Sequence, residues 1–184
     1  MEKEYEKIIK RLCKQYGIRV IRNFKSACGR ACFDENWIKI PERFDTLDKF
    51  YVSLHEIGHI VEGESEKVYM SEYNAMQWGL NKMKELKMSI HCARERERRY
   101  FTKKLCQAKN RGSKIHELPD EIFKFSKLSK YWAKKSDKIY VYGKGKGWLI
   151  GLEIQYNKKV VVTPNTAYKT LIKKVELPDV FSLE

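Results

Sequence analysis

The stretch "FYVSLHEIGHIVEGESE", Phe50 to Glu66, decides how the rest of this chain is read. Phe50, Leu54, Ile57 and Val61 recur at the spacing of one helical face, and Gly63 is a natural stop. Thr46 or Asp45 stands where a cap would start such a helix. His55 and His59 are four residues apart, so on a helix both imidazoles turn to the same side, and Glu56 follows the first of them. A catalytic zinc ion takes three protein ligands and a water, with a carboxylate that accepts a proton from that water. H-E-x-x-H provides two ligands, His55 and His59, and the base, Glu56, within one turn. A helix with two surface histidines is the competing reading, and the agreement of spacing, internal glutamate and amphipathic setting argues against it.

A third ligand must come from elsewhere. Glu62, Glu64 and Glu66 follow His59 too closely to fold back without strain, and His91 and His116 are distant. Glu72 is expected in the first turn of a second helix, capped by Ser71 and running to about Met88. A helix packed antiparallel to the first brings that carboxylate to the two histidines, whereas the plain alternative is an acid favoured by the helix dipole. Gly58, inside the motif, is costly in a helix by about 1 kcal/mol but lets another backbone approach closely.

Upstream, Tyr5, Ile8, Ile9, Leu12 and Tyr16 predict a helix over 2–16, stopped by Gly17. Short strands follow at Ile18–Phe24, Ala31–Phe33 and Trp37–Ile40, the last expected as an edge strand flanking the cleft. Downstream, His91–Gly112 reads as an arginine-rich helix and "PDEIFKFSKLSKYWAKKS" as a further one. "KIYVYG", "GWLIGLEIQY" and "KVVVTP" then read as a β-meander, followed by a helix-like "TAYKTLIKKVEL". The expected class is α+β: a small zincin-like domain of helices and a short mixed sheet, residues 1–112, then a basic helix and meander extension, residues 113–184.

Composition bounds the function. With 42% hydrophobic residues the chain of 184 can bury a sizeable core, and no apolar run approaches a membrane span. The charged start "MEKEYEKIIKRLCKQYG" lacks the apolar centre of a signal peptide, so a cytoplasmic location is expected. Five cysteines (Cys13, Cys28, Cys32, Cys92, Cys106) form no CxxC pair, and their odd number argues against a disulfide framework. Residues 1–90 carry 16 Lys and Arg against 14 Asp and Glu; residues 91–184 carry 22 against 10, a net +12 of the chain's +14. Such an excess suits phosphate contact, for which Arg94, Arg96, Arg98, Arg99, Lys144 and Lys146 are candidates, or simply a solubilising surface. "GKGKG" lacks the spacing of a P-loop.

The stretch "LHEIGHIVEGESEKVYMSEYNAMQWGL" resembles the ImmA/IrrE-like metallopeptidases, in which HExGH precedes a helix opening E-x-x-A with an aromatic shortly after. Glu72, Ala75 and Trp78 stand at those positions, and the element order upstream also matches, over about residues 1–90. The resemblance implies a gluzincin-type fold, zinc held by His55, His59 and Glu72, and Glu56 as base. It also implies a phage- or mobile-element-associated protease that inactivates a repressor, working in the host-cell cytoplasm if phage-encoded. Trp78 replaces the more usual Phe, Asn74 replaces an acidic or small residue, and the resemblance does not extend to residues 115–184.

Two functions from different classes follow. One is a zinc-dependent endopeptidase with a specific intracellular protein target, in which Tyr73, His91 and His116 are candidate transition-state stabilisers, each with a packing or surface role as its alternative. The other is a non-proteolytic binding protein that keeps the zinc domain as scaffold and contacts nucleic acid, or blocks a host nuclease, through its basic half.

Overall fold

The computed structural model describes residues 2–23, 28–126, 128–136, 138–144, 147–154 and 158–162. They form an α+β chain in two compact units, 1–97 and 98–184. The sequence boundary at 112/113 follows a turn signal, whereas packing divides the chain inside a continuous helix, between Glu97 and Arg98.

In the first unit helix α1 (Glu2–Gln15) buries Tyr5, Ile8, Ile9, Leu12 and Cys13, and Tyr5 stacks on Phe50 with ring centroids 4.4 Å apart. Strands β1 (Arg19–Asn23), β2 (Arg30–Cys32) and β3 (Trp37–Pro41) make a mixed sheet in the order β1-β3-β2. β1 runs parallel to β3, and β2 antiparallel. The strand "WIKI" is therefore central, not an edge as its sequence suggested. The edge beside it is β2. The turn into β3 is closed by Asn36 at φ 49, whose Nδ2 donates to the Gly17 carbonyl at 2.8 Å. Ile38 and Ile40 are wholly buried while Trp37 and Lys39 are half-buried, the alternation of a sheet with one face on the core.

Helix α2 (Leu47–Glu62) is capped by Thr46, whose hydroxyl accepts from Lys49 N at 3.3 Å, and it ends at Gly63, where φ is +75°. Its buried face of Phe50, Leu54 and Ile57 meets the sheet and α1. Helix α3 (Val68–Glu85) begins earlier than expected. Lys67 precedes it without a side-chain cap, and the Ser71 hydroxyl instead accepts from Ser65 N in the preceding loop at 2.8 Å. Glu72 thus sits in the second turn, away from the amide-rich helix end.

Helix α4 (His91–Asn110) follows. In the second unit, the single helix expected over 119–136 is broken into α5 (Asp120–Ser126) and α6 (Lys130–Lys135), after a 3₁₀ turn at Ile115–Glu117. The cause is local: the buried Ser126 hydroxyl accepts from Leu128 N at 3.2 Å, giving the backbone a partner other than the helix. The meander is present as β4 (Lys138–Lys144), β5 (Gly147–Ile154) and β6 (Lys158–Val162), antiparallel in that order. The helix-like segment after residue 165 lies outside the described residues.

Candidate metal centre

The site depends on how closely α2 and α3 cross. A Cβ added at Gly58 would lie 2.7 Å from the Ala75 carbonyl oxygen and 3.1 Å from its Cα, so only glycine fits there. A Cβ at Gly79 would lie 3.3 Å from the Tyr51 ring and 3.5 Å from His55 N. Small residues on both helices thereby set backbone against backbone, and the crossing brings Glu72 of α3 to the histidines of α2.

Three atoms converge. The Nε2 atoms of His55 and His59 are 3.1 Å apart, and Glu72 Oε2 lies 3.5 Å from the first and 3.6 Å from the second. Bonds of about 2.0–2.1 Å to a tetrahedral ion place its ligand atoms about 3.3–3.4 Å apart, so the triangle has the dimensions of three corners of such a site. Among the described residues His55, His59 and Glu72 are the group of ligating side chains that could hold a metal ion. The ring nitrogens agree, because both Nδ1 atoms are buried without a hydrogen-bond partner and neither is engaged in place of Nε2. Phe33 packs edge-on to His59, with centroids 6.1 Å apart.

The electrostatics are those of a cation-seeking pocket. Burial favours a protonated Glu72, but hydrogen bonds and charge from His55 and His59 outweigh it and hold the carboxyl well below the usual range. Burial disfavours His55's charged form, yet Glu72's hydrogen bond and the charges of Glu97, Glu56 and Glu72 raise its pKa. Glu56, 8% exposed, has its carboxyl pushed up to about 7, chiefly by burial and against the pull of His55. The β2 edge starts beside it: a Cβ at Gly29 would meet Glu56 Cγ and Oε1 at 2.4 Å.

The other sequence candidates are placed differently. Tyr73 is half-buried on α3, next to Glu72 but turned about 100° around the helix. Trp78 is T-shaped to Tyr16 at 6.2 Å, with Lys82 over its ring. His91 is exposed at the start of α4, and His116 lies in the 3₁₀ turn of the second unit; neither joins the ligand group. Of the arginines proposed for phosphate contact, Arg94 and Arg99 are exposed. Arg96 is 3.5 Å from Asp48 and 3.4 Å from Glu97, and it lies over the Tyr51 ring. Arg98 is buried, its Nε donating to the Phe125 carbonyl at 2.8 Å, so it is a core residue and not a surface cation. Lys144 ends β4, and Lys146 lies outside the described residues.

Sequence reasoning missed the burial of Glu97, a carboxylate 6% exposed whose Oε1 lies 3.4 Å from Arg96 Nε. Its setting, "ARERERR", carries the pattern of a solvated ion-pair helix, and no local signal separates it from Glu95. Among the described residues, no helix is long and apolar enough to cross a membrane. No family model, curated protein or solved structure matches this chain.

Proposed function

We propose that the chain is a zinc-dependent endopeptidase acting on a specific intracellular protein, of the kind the ImmA/IrrE-like resemblance implies: a repressor or other DNA-bound regulator. The observation that carries this reading is the triangle of His55 Nε2, His59 Nε2 and Glu72 Oε2 with Glu56 one residue along from its first corner. Two imidazoles and a carboxylate at tetrahedral spacing suit Zn2+ and leave one coordination position for water or substrate. When bound, such an ion supplies a Lewis acid that polarises a carbonyl and acidifies water.

The protein's own groups do the rest. His55, His59 and Glu72 hold the ion. Glu56, buried and with its pKa pushed up to about 7, takes the proton of the attacking water and passes it to the leaving amine. The β2 edge, beginning at Gly29 against Glu56, offers backbone groups along which an extended substrate segment aligns. The exposed Arg94 and Arg99 and the net +12 of residues 91–184 favour a target held on nucleic acid, which these cations approach through phosphate contact.

Glu56→Gln tests the reading. The variant is expected to keep one zinc per chain while the substrate, found by comparing the proteomes of cells expressing either form, is no longer cut. Identical proteomes, or cleavage undiminished in the variant, would refute it and leave the non-proteolytic binding role.

A further inference from the structure

Helix α4 changes character along its length. Residues 91–97 mix two arginines with two glutamates, as a solvated ion-pair face does, whereas residues 98–116, in the second unit, carry seven Lys or Arg and no Asp or Glu. Packing decides which of these cations face water. Arg98 Nε donates to the Phe125 carbonyl at 2.8 Å, the Thr102 hydroxyl lies 2.8 Å from the Ser126 carbonyl oxygen, and the Phe101 and Phe125 ring centroids are 5.9 Å apart. Leu105, Cys106 and Ala108 are buried with them. At the end of the helix the Asn110 side chain accepts from Ile139 N at 2.9 Å and donates to its carbonyl at 3.0 Å. With that face held, Arg99, Lys103, Gln107 and Arg111 are all exposed. They follow at four-residue steps, and Arg111 N donates to the Gln107 carbonyl at 3.2 Å, which keeps the last of them in the row. The row is about 18 Å long. Beside it Tyr100 is 39% exposed, with Lys104 Nζ over its ring at 5.0 Å from the centroid.

We propose that this face of α4 binds single-stranded nucleic acid, with phosphates on Arg99, Lys103 and Arg111 and a base stacked on Tyr100. Cations without carboxylates among them build up a positive potential along the row, and a polyanion laid there releases its counterions. A surface kept for solubility alone intersperses both signs, as residues 91–97 do. At 3.4 Å each, one stacked strand presents about five phosphates over the row's length, enough to meet all three cations. The Gln107 amide, between Lys103 and Arg111, adds a neutral hydrogen bond to phosphate or sugar. Tyr100 turns charge attraction into a preference for unpaired bases. An exposed aromatic ring beside a cationic row is a stacking platform, and the bases of a duplex are already stacked on each other. Lys104 over the ring holds it in place. This surface deepens the phosphate contact proposed above and uses no part of the metal centre, so each can fail without the other.

The full chain is titrated into a fluorescein-labelled oligothymidylate longer than about 16 nucleotides, and anisotropy is read over a series of salt concentrations. Three phosphate contacts predict a slope of about −2 for log K against log salt, at about −0.7 each. Replacing two of the cations together, Lys103→Gln with Arg111→Gln, should reduce the slope to about −0.7. Tyr100→Ala should weaken binding about 5- to 150-fold with the slope kept. Lys124→Gln, an exposed cation on α5 outside the row, should leave slope and affinity unchanged. A labelled oligouridylate runs in parallel, and the tighter of the two strands says whether DNA or RNA is the ligand. A duplex bound as tightly as the strand, or Tyr100→Ala without effect, overturns the single-strand assignment. An equal loss in Lys124→Gln overturns the row. Displacement of the strand by polyglutamate of equal charge overturns nucleic acid in favour of an acidic protein partner. A chain that takes up zinc yet binds no strand refutes this surface and leaves the endopeptidase standing.

Discussion

Replacing Gly29 with alanine puts a methyl group where Glu56 now lies. The added Cβ would sit 2.4 Å from both Cγ and Oε1 of the glutamate and 2.6 Å from its Cδ. Ordinary carbon contacts begin near 3.5 Å, so the carboxyl arm must withdraw by about 1 Å. The arm is a side chain, free to rotate, and the backbone at Gly29 is not in the left-handed region, so the domain's stability should hardly change. The chemistry should change a great deal. A general base works only within hydrogen-bond reach of the proton it takes, and a misplacement of about 1 Å costs about 10²-fold, or about 2.7 kcal/mol of barrier. The assay pairs hydrolysis of the identified substrate with metal content and melting temperature on the same samples. The expected result is a kcat lower by about 10²-fold with zinc and melting temperature unchanged. Activity within twofold of wild type would show that Glu56 need not occupy this position. Loss of zinc together with activity would show that the segment at Gly29 supports the ligands, not the base.

Gly58→Ala drives a methyl group to 2.7 Å from a backbone oxygen that cannot rotate away. It should cost about 1–3 kcal/mol and weaken zinc binding in the same variant, as calorimetry and metal titration would read. In the second unit, Arg98→Ala removes the donor at 2.8 Å from the Phe125 carbonyl and leaves that oxygen buried; a loss of about 1–3 kcal/mol in denaturant unfolding is expected. Burial pushes the thiols of Cys13 and Cys106 up to about 11 and about 12. Native protein treated with iodoacetamide near pH 8 should therefore be labelled first at the exposed Cys28 and Cys92, as peptide mapping would show. The sign of the linked stability follows: the native state holds these protons more tightly than the unfolded chain, so their contribution is complete below about pH 8.5 and is lost as pH rises through 11 and 12. A melting temperature that rose between pH 9 and 11 would contradict it.

Helix α2 was legible because its signals are local: a Thr46 cap, a Gly63 stop, an apolar stripe, and histidines one turn apart. Glu72 was reached by the same logic, although the start of α3 was not. Ser71 has the composition of a cap, but its hydroxyl serves the loop at Ser65, and nothing in a linear pattern distinguishes the two uses. Strand pairing is equally hidden. "WIKI" alternates as any half-buried strand does, and only the parallel partner β1 makes it central. Glu97 and Arg98, adjacent in an arginine-rich helix, look alike as surface charges, yet both are buried, because burial is decided by what packs against a helix and not by the helix.

The edge strand β2 is three residues long, Arg30–Cys32, or about 10 Å of extended chain. A substrate laid along it gains only a few backbone hydrogen bonds, each worth about 1 kcal/mol net, which by themselves amount to millimolar affinity at best. On the proposed peptidase reading, a loose peptide would leave before it was cut. On that reading, so short an edge makes selectivity a matter of delivery: the chains cut would be those that some other surface has already brought and held.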